Sequence, residues 1–514
     1  MRGLALVAVL ATLIAACQGA PGPSQSPTGV SAPPAASATP APSPSLMARG
    51  GTLRVGISTP LGSLDPRAID ADPLVIAQVF DGLVARGING VAPALATKWL
   101  VAPDGRTWTF TLREGVVFHD GTAVDGAAVA ASLGRRDDPL IERASAPDAR
   151  TVVVTTRSPY GPFLSALATA PYAIVSGSSP LAGTGAFRVP AGGGSARPLV
   201  LERNDRYWRT DAAGQTLPYL DRLSITSIPD ASARLAALRA GSQDLVTDLA
   251  LADIGTVRTD PSLQLVSRPE TTVLYLGLNL SAPGIDDLRV REALAQAIDP
   301  RAIVDRLYSG AAVPASQLPP PAMLGADDSM TEFAKHDAAA AKKVLTDSGH
   351  AAFQLDLWYQ LGGPVTLPDM RRVAEAIAGD LGTAGVAAEP KTIDPITFDL
   401  SVRENRFPAW IGYASAASFD PDELFGVFIP PVVNGADQPT EAGGWANPEV
   451  AGLLRKARAE PDQSKRAELY KQVSKIVQRE IPRIPLVWSA APAAATKKVV
   501  HPKGSLFAEI AIGK

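Results

Sequence analysis

The side chains able to do bond chemistry are few in this chain, and their spacing argues against it. His119 is followed by Asp120 and Gly121, and an imidazole beside a carboxylate is a pairing that general-base catalysis uses. Asp420 with Asp422 or Glu423 offers two carboxylates, but neighbours on one loop rarely flank a bond from both sides as glycoside hydrolysis requires. His119, His336, His350 and His501 include no pair at metal-ligand spacing. No G-x-S-x-G or H-E-x-x-H occurs, and Gly192 to Gly194 lacks a following Gly-Lys-Ser/Thr, so that stretch is a flexible loop and not a phosphate cradle. The single cysteine, Cys17, lies in an N-terminal leader, which rules out an intrachain disulfide and disfavours a catalytic thiol. The expectation is a chain with no catalytic residue, no metal and no cofactor.

Size and charge bound what such a protein can be. At 514 residues the chain exceeds the roughly 250–300 at which one hydrophobic core stops growing, so at least two domains are expected. Hydrophobic residues make up 46% and charged ones 19%, and 48 basic against 51 acidic residues leave a net charge of −3, which gives nucleic acid nothing to bind. Met1-Arg2 and the uncharged apolar run from Gly3 to Ala16 read as a secretory signal peptide, too short to cross a bilayer as a helix of about 20 residues. Ile14-Ala15-Ala16-Cys17 looks like a bacterial lipobox, in which an acylated Cys17 becomes the mature N-terminus and anchors the protein to the membrane. Gln18 to Ser45 carries no charge and is almost entirely Ala, Pro, Ser, Thr and Gly, so it forms a tether of about 3.1 Å per residue where it adopts polyproline II.

The folded elements follow from periodicity. TLRVGIS from Thr52 to Ser58 puts Leu53, Val55 and Ile57 on one face of a strand. Asp104-Gly105 is hairpin chemistry, and beyond it Trp108, Phe110 and Leu112 alternate with threonines. Ile225 and Ile228 flank a strand, Asp230 or Ser232 caps a helix that Gly241 ends, and Asp244 starts a further strand. This β-α-β unit implies a mixed sheet with helices packed on it. Val273, Tyr275, Gly277 and Asn279 alternate with Leu274, Leu276 and Leu278, after which Val290, Leu294 and Ile298 repeat at helical spacing. Asp299-Pro300 ends that helix and opens the next, with Gly310 expected at C′. Later come a helix over 337–349, a strand carrying Phe353, Leu355, Leu357 and Tyr359, a helix from Met370 to Leu381, one opened by Asn447-Pro448, and a long amphipathic one from Asp462 to Glu480.

The Thr272 to Gly310 block resembles one in the family 5 extracytoplasmic solute-binding proteins of ABC importers, which include oligopeptide-, dipeptide- and nickel-binding proteins. Asn279, Arg289, Val290, Arg291, Ala293, Leu294, Ala297, Ile298, Asp299 and Gly310 carry the match. Leu64-Asp65-Pro66, Ala102 to Thr122, Gly183-Thr184-Gly185, Asn204 to Trp208 and Ile484 to Trp488 extend the resemblance over about residues 50–490.

The resemblance implies an α/β, two-lobed periplasmic-binding-protein-like fold of type II, in the large class with an extra subdomain in the first lobe and mixed sheets flanked by helices. The expected division is residues 1–16 as signal peptide, 17–49 as lipidated cysteine and tether, and 50–73 with 180–268 and 487–514 as the first lobe. Residues 74–179 would form the extra subdomain and 269–486 the second lobe, with crossings near Arg268 to Leu274 and Arg483 to Ser489. It places His119-Asp120-Gly121 on a surface turn. Peptide binders of the family hold backbone between strands that correspond to Asp70, Ala71 and Asp72 and to Tyr413, Ala414 and Ser415. The family's aspartate for a peptide's α-ammonium aligns with Ala417, a departure that leaves Asp70 or Asp72 to meet any cationic group, while Asp420 belongs to a loop-shaping Asp-Pro. Tyr275, Asn279, Trp410, Phe419 and Trp488 complete the candidate ligand-binding residues, the rings for their flat apolar area. The expected partners are a small peptide-like solute, or else an oligosaccharide, opine-like conjugate or metal chelate, together with the transmembrane subunits of an ABC permease and, through Cys17, the membrane. No nucleic-acid partner is expected, and the chain is expected to be a monomer.

Overall fold

The computed structural model describes residues 47–514, apart from 88–89, 135–137, 196, 267–269, 364–366, 429–431, 434–435, 438–442, 501–509 and 513–514. The leader, Cys17 and nearly all of the tether, as well as Arg268 and His501, lie outside the described residues.

A seven-stranded mixed sheet builds the first lobe, in the spatial order Leu263–Val266, Ala493–Thr496, Leu245–Val246, Thr52–Ile57, Arg222–Ser227, Leu199–Arg203, Phe187–Arg188. Thr52–Ile57 runs parallel to both Arg222–Ser227 and Leu245–Val246, and Leu53, Val55 and Ile57 are buried as the period-2 pattern requires. The crossover helix Ala231–Arg239 is capped by Asp230, whose side chain accepts from the Ala233 N–H. The extra subdomain is a four-stranded antiparallel sheet, Ala96–Val101, Thr107–Leu112, Thr151–Thr156, Ile141–Asp148, with Trp108, Phe110, Val152, Val154 and Phe163 in a core of its own. That core starts at Leu83, because the helix Pro73–Val79 buries Val75, Ile76 and Val79 in the first lobe instead. The beginning of the subdomain therefore falls several residues later than position 74.

The second lobe is a six-stranded sheet in the order Ala312–Pro314, Arg483–Ser489, Thr272–Leu278, Ala409–Ser415, Gln354–Gln360, Ala387–Ile393. Leu274, Leu276 and Leu278 share a core with the helices Leu288–Ala297, Pro300–Leu307, Ala338–Asp347 and Met370–Thr383. Val273, Tyr275 and Trp488 share another with Pro421–Phe425, Pro448–Ala459 and Gln463–Glu480. Asp287, Asp299, Asn447 and Asp462 each cap the helix that follows them with a side-chain oxygen. The stop after Leu307 differs from the expectation. Ser309, at φ 49°, takes the left-handed position expected of Gly310, and Gly310 follows at φ 67° with its N–H on the Val304 carbonyl.

Arg483–Ser489 lies wholly in the second sheet, laddered to Thr272–Leu278, and the first sheet resumes at Ala493. Val487, Trp488 and Ser489, expected in the first lobe, thus belong to the second, and the crossings run from Val266 to Thr272 and from Ser489 to Ala493. The cores do not stop at these crossings. Leu238, Ile254, Leu263 and Ala494 of the first lobe belong to one buried apolar cluster with Leu274, Ile303 and Val487 of the second.

Two rings pack on glycines of the neighbouring strand. Trp410 faces Gly277 in register and Tyr275 faces Gly412. A Cβ at Gly277 would sit 2.3 Å from the Trp410 ring and one at Gly412 2.6 Å from Tyr275, so the absence of a side chain is what admits each ring.

Candidate ligand site between the lobes

Strand direction fixes where a ligand can be held. In the first lobe Val246 pairs antiparallel with Ala494, just after the second crossing, so Thr52–Ile57, Arg222–Ser227 and Leu245–Val246 all run toward the crossings. In the second lobe Thr272–Leu278 runs away from the crossings. Its antiparallel partner Ala409–Ser415, and the parallel Gln354–Gln360 and Ala387–Ile393, therefore end there. The carboxyl ends of the parallel strands of both sheets thus point toward the crossings between the lobes, the side on which open α/β sheets bind ligands. The residues at those ends are polar in the first lobe, where Ser58 Oγ donates to Asp248 at 2.6 Å, and mixed in the second, where Gln360 Nε2 donates to the Tyr413 hydroxyl at 3.4 Å. Apolar side chains are also left out in solvent beyond these strand ends: Ile69 is 105% exposed, Leu361 52%, and Ile396, in the first turn of the helix Pro395–Arg403, 76%.

The candidate residues divide into groups. Tyr413 and Ala414, half-buried, and the exposed Ser415 lie at the gap, and the Ser415 hydroxyl is 2.8 Å from that of Thr272. Asp70 and Asp72 spend their carboxylates locally, Asp70 on the Ser63 N–H at 3.1 Å and Asp72 on the Leu74 and Val75 N–H groups and the Thr59 hydroxyl, while Ala71 is half-buried between them. Among the described residues no hydrogen bond or ion pair joins 70–72 to 413–417. Asn279 stands at the opposite end of its strand, seven residues or about 23 Å from Thr272, where it bonds Asn405 and Ser281. Tyr275 and Trp410 are buried around the Arg483 guanidinium, 5.7 and 4.5 Å from their ring centres, and Trp488 is buried with its indole N–H on the Gln317 carbonyl at 2.9 Å.

Ala417 and Phe419 lie on a seam that the extra subdomain makes with the second lobe. Arg86 donates to the Ala417 carbonyl and lies over the Phe419 ring at 5.6 Å. Phe419 takes φ 63°, a costly conformation for a bulky residue that the surrounding contacts must hold. Asp420 is 2% exposed and fully engaged: Arg466 grips it with two N–H groups at 2.8 and 3.0 Å, Ser165 donates at 2.9 Å, and its other oxygen caps Pro421–Phe425 through the Asp422 N–H. Nearby, Asp422 pairs with Arg458 at 3.0 Å, yet burial outweighs that partner and holds its carboxyl above the usual range. A hollow of about 130 Å³ opens here between Tyr160, Ser418, Asp420, Asp422 and Glu423. Burial, then the charges of Asp422 and Asp420, push the Tyr160 phenol up to about 12.

Ser58, Thr59 and Gln360 carried a faint sequence signal, as polar residues directly after an apolar strand. Arg86 and Ser165 carried none, because their partners are 331 and 255 positions away.

His119 and Asp120 do not form a dyad. His119 Nε2 is 3.0 Å from the Gly185 carbonyl, and burial lowers the imidazole's proton affinity. Asp120 accepts instead from Ser176, Ser178 and Thr122. Burial favours its neutral form, but these donors outweigh that and hold the carboxyl well below its usual range.

Two mixed α/β lobes on paired crossings, with the strand ends of both turned to the gap between them, define a bilobal solute-binding protein. The chain belongs to the bacterial extracellular solute-binding proteins, family 5, whose model (Middle) matches residues 90–434. It is similar to heme-binding protein A of Haemophilus influenzae, 29% identical over 82% of this chain and 84% of that one, and to the dipeptide-binding protein of Escherichia coli, 28% identical over 80% and 84%. Among solved structures it resembles an ABC transporter substrate-binding protein from Sinorhizobium meliloti (TM-score 0.78, 25% identical, 90% of this chain and all of that one). HbpA2 from Haemophilus parasuis is similarly close (TM-score 0.77, 25%, 90% of this chain and all of that one). The protein is an extracytoplasmic receptor of the ABC-importer type and not an enzyme.

Proposed function

We propose that the chain, acting as a monomer, captures a short, extended, peptide-like solute between its lobes and presents it to the transmembrane subunits of an ABC permease. Cys17, acylated once residues 1–16 are removed, ties it to the membrane surface through the tether. The observation that carries the peptide reading is a one-sided strand. Thr272–Leu278 ladders Ala409–Ser415 along its full length, whereas Gln354–Gln360 pairs only with Ala409 and Trp410. Among the described residues the backbone from Ile411 to Ser415 is laddered on one flank, and an extended peptide is the ligand that completes such an edge, its side chains meeting Ile69, Leu361 and Ile396. The names of relatives support this, with a dipeptide-binding protein and a di/tripeptide-binding protein from Pseudomonas aeruginosa among them. Ala417 argues that the solute is not held by a free α-ammonium at that position.

Closure on a solute then requires only small backbone changes at the two crossings. A ligand that binds only the folded form raises Tm by mass action. Di- to pentapeptides are expected to raise it in proportion to the logarithm of their concentration, and peptides N-methylated on alternate amides to do so far less. A shift produced only by oligosaccharides, opine-like conjugates, heme or metal chelates would overturn the peptide reading. For the anchor, Cys17→Ala is expected to move the protein from the membrane fraction to the soluble one, and retention there would refute acylation as the tie.

A further inference from the structure

The crossings and the seam join the lobes by different means. At the crossings one buried apolar cluster runs through both lobes. Across the seam, among the described residues, the subdomain core and the second-lobe core remain separate clusters, and hydrogen bonds connect the two sides. The Gly161 N–H donates at 2.6 Å to the Arg458 carbonyl, one of those that the end of the helix Pro448–Ala459 leaves without an internal partner. Ser165 Oγ donates to Asp420 at 2.9 Å, and Arg86 donates to the Ala417 carbonyl. The fit is close: a Cβ at Gly161 would overlap the Glu460 carbonyl oxygen and lie 2.8 Å from the Arg466 side chain, so only glycine lets the two backbones meet.

The subdomain is in turn fixed to the first lobe. The His119 N–H donates to the Gly183 carbonyl at 2.8 Å, and the Arg113 guanidinium lies 4.3 Å from the centre of the Trp208 ring. The seam therefore ties the first lobe, through the subdomain, to the second at a place other than the crossings. It starts at the edge of the ligand gap, since Ala417 follows Ser415 by two positions. Parting the walls there breaks hydrogen bonds that water can replace on both sides, whereas parting the crossings would expose apolar core.

We propose that the seam is a releasable latch that limits how far the lobes open. While it holds, both walls of the gap stay within reach of one solute, which enlarges the fraction of molecules competent to bind. When it lets go, Phe419 loses the Arg86 guanidinium stacked on it and is free to leave its φ of 63°, and relief of that strain favours the released form. The two settings differ by a few polar contacts, and the pivot stays joined in both.

Two variants test this with no solute added, so the outcome does not depend on which solutes bind. Gly161→Val drives a side chain into the seam, and Arg86→Ala combined with Ser165→Ala removes two of the hydrogen bonds across it. Spin labels on Lys98→Cys of the subdomain and Gln472→Cys of the second lobe, both exposed positions, report the separation. In each variant that distance is expected to lengthen by more than about 2 Å and to broaden, with a matching rise in the radius of gyration. Urea unfolding with an unchanged m value shows that a variant is folded. Should Gly161→Val fail to fold, the double variant reads the same latch. A label distance and radius of gyration unmoved in the folded variants, or a wild-type distribution already as broad as theirs, would overturn the proposal.

Discussion

Arg466→Met is expected to lower the unfolding free energy by about 3–5 kcal/mol, enough to threaten a typical native margin. Arg466 is 0% exposed and Asp420 2%, and the guanidinium also bonds the Ala457 carbonyl and the Tyr470 hydroxyl. Its removal strands a buried carboxylate that keeps only the Ser165 hydroxyl and the Asp422 N–H. Removing a single partner of such a pair costs far more than the pair contributes, because the surviving charge stays in a poorly solvating place. The double variant Asp420→Leu with Arg466→Met should therefore be more stable than Arg466→Met alone. Urea unfolding with an unchanged m value checks both. A loss under 1 kcal/mol for the single variant would show that water reaches this pair and that the seam is looser than described.

Trp410→Ala is expected to cost about 3–5 kcal/mol through the void it leaves. The indole lies 4.5 Å from the Arg483 guanidinium and in one apolar cluster with Phe398 and Phe407, and the glycine opposite it in register has no side chain to refill the gap. Burial pulls the Arg483 proton affinity down, and the rings about the guanidinium support it together with the Pro482 carbonyl, 2.8 Å from Nη1. If Trp410 instead lined the ligand space, as its type and sequence position imply, the variant would lose solute binding with little change in stability. Calorimetric unfolding and the ligand-induced Tm shift, measured on the same variant, separate these outcomes.

The architecture was legible because it rests on local rules. Asp-Pro and Asn-Pro pairs opened helices, alternation marked Thr52–Ile57, Thr107–Leu112 and Thr272–Leu278, and Gly241, Gly310 and Gly349 lay two or three residues past the helix ends. The site was less legible, for a physical reason. A strand shows from its alternation that it has a buried face, but not which end meets a gap or which ring the facing strand leaves room for. Trp410, Tyr275 and Trp488 have the composition of a binding surface and are core, since Gly277 and Gly412 accommodate two of them. Asn279 belongs to a well-matched block and sits at the far end of its strand. The division near Trp488 shifted because a strand of one lobe that leads to the other looks the same in sequence on either side of the crossing.

The apolar cluster running through both crossings also bears on how such a receptor can diversify. A chimaera that borrowed one half from a relative would inherit only one side of a dry joint and would have to mend the mismatch residue by residue. Novelty in what is carried should therefore arise by drift in exposed segments such as those bearing Ile69, Leu361 and Ile396, while the pivot passes between descendants as an undivided piece.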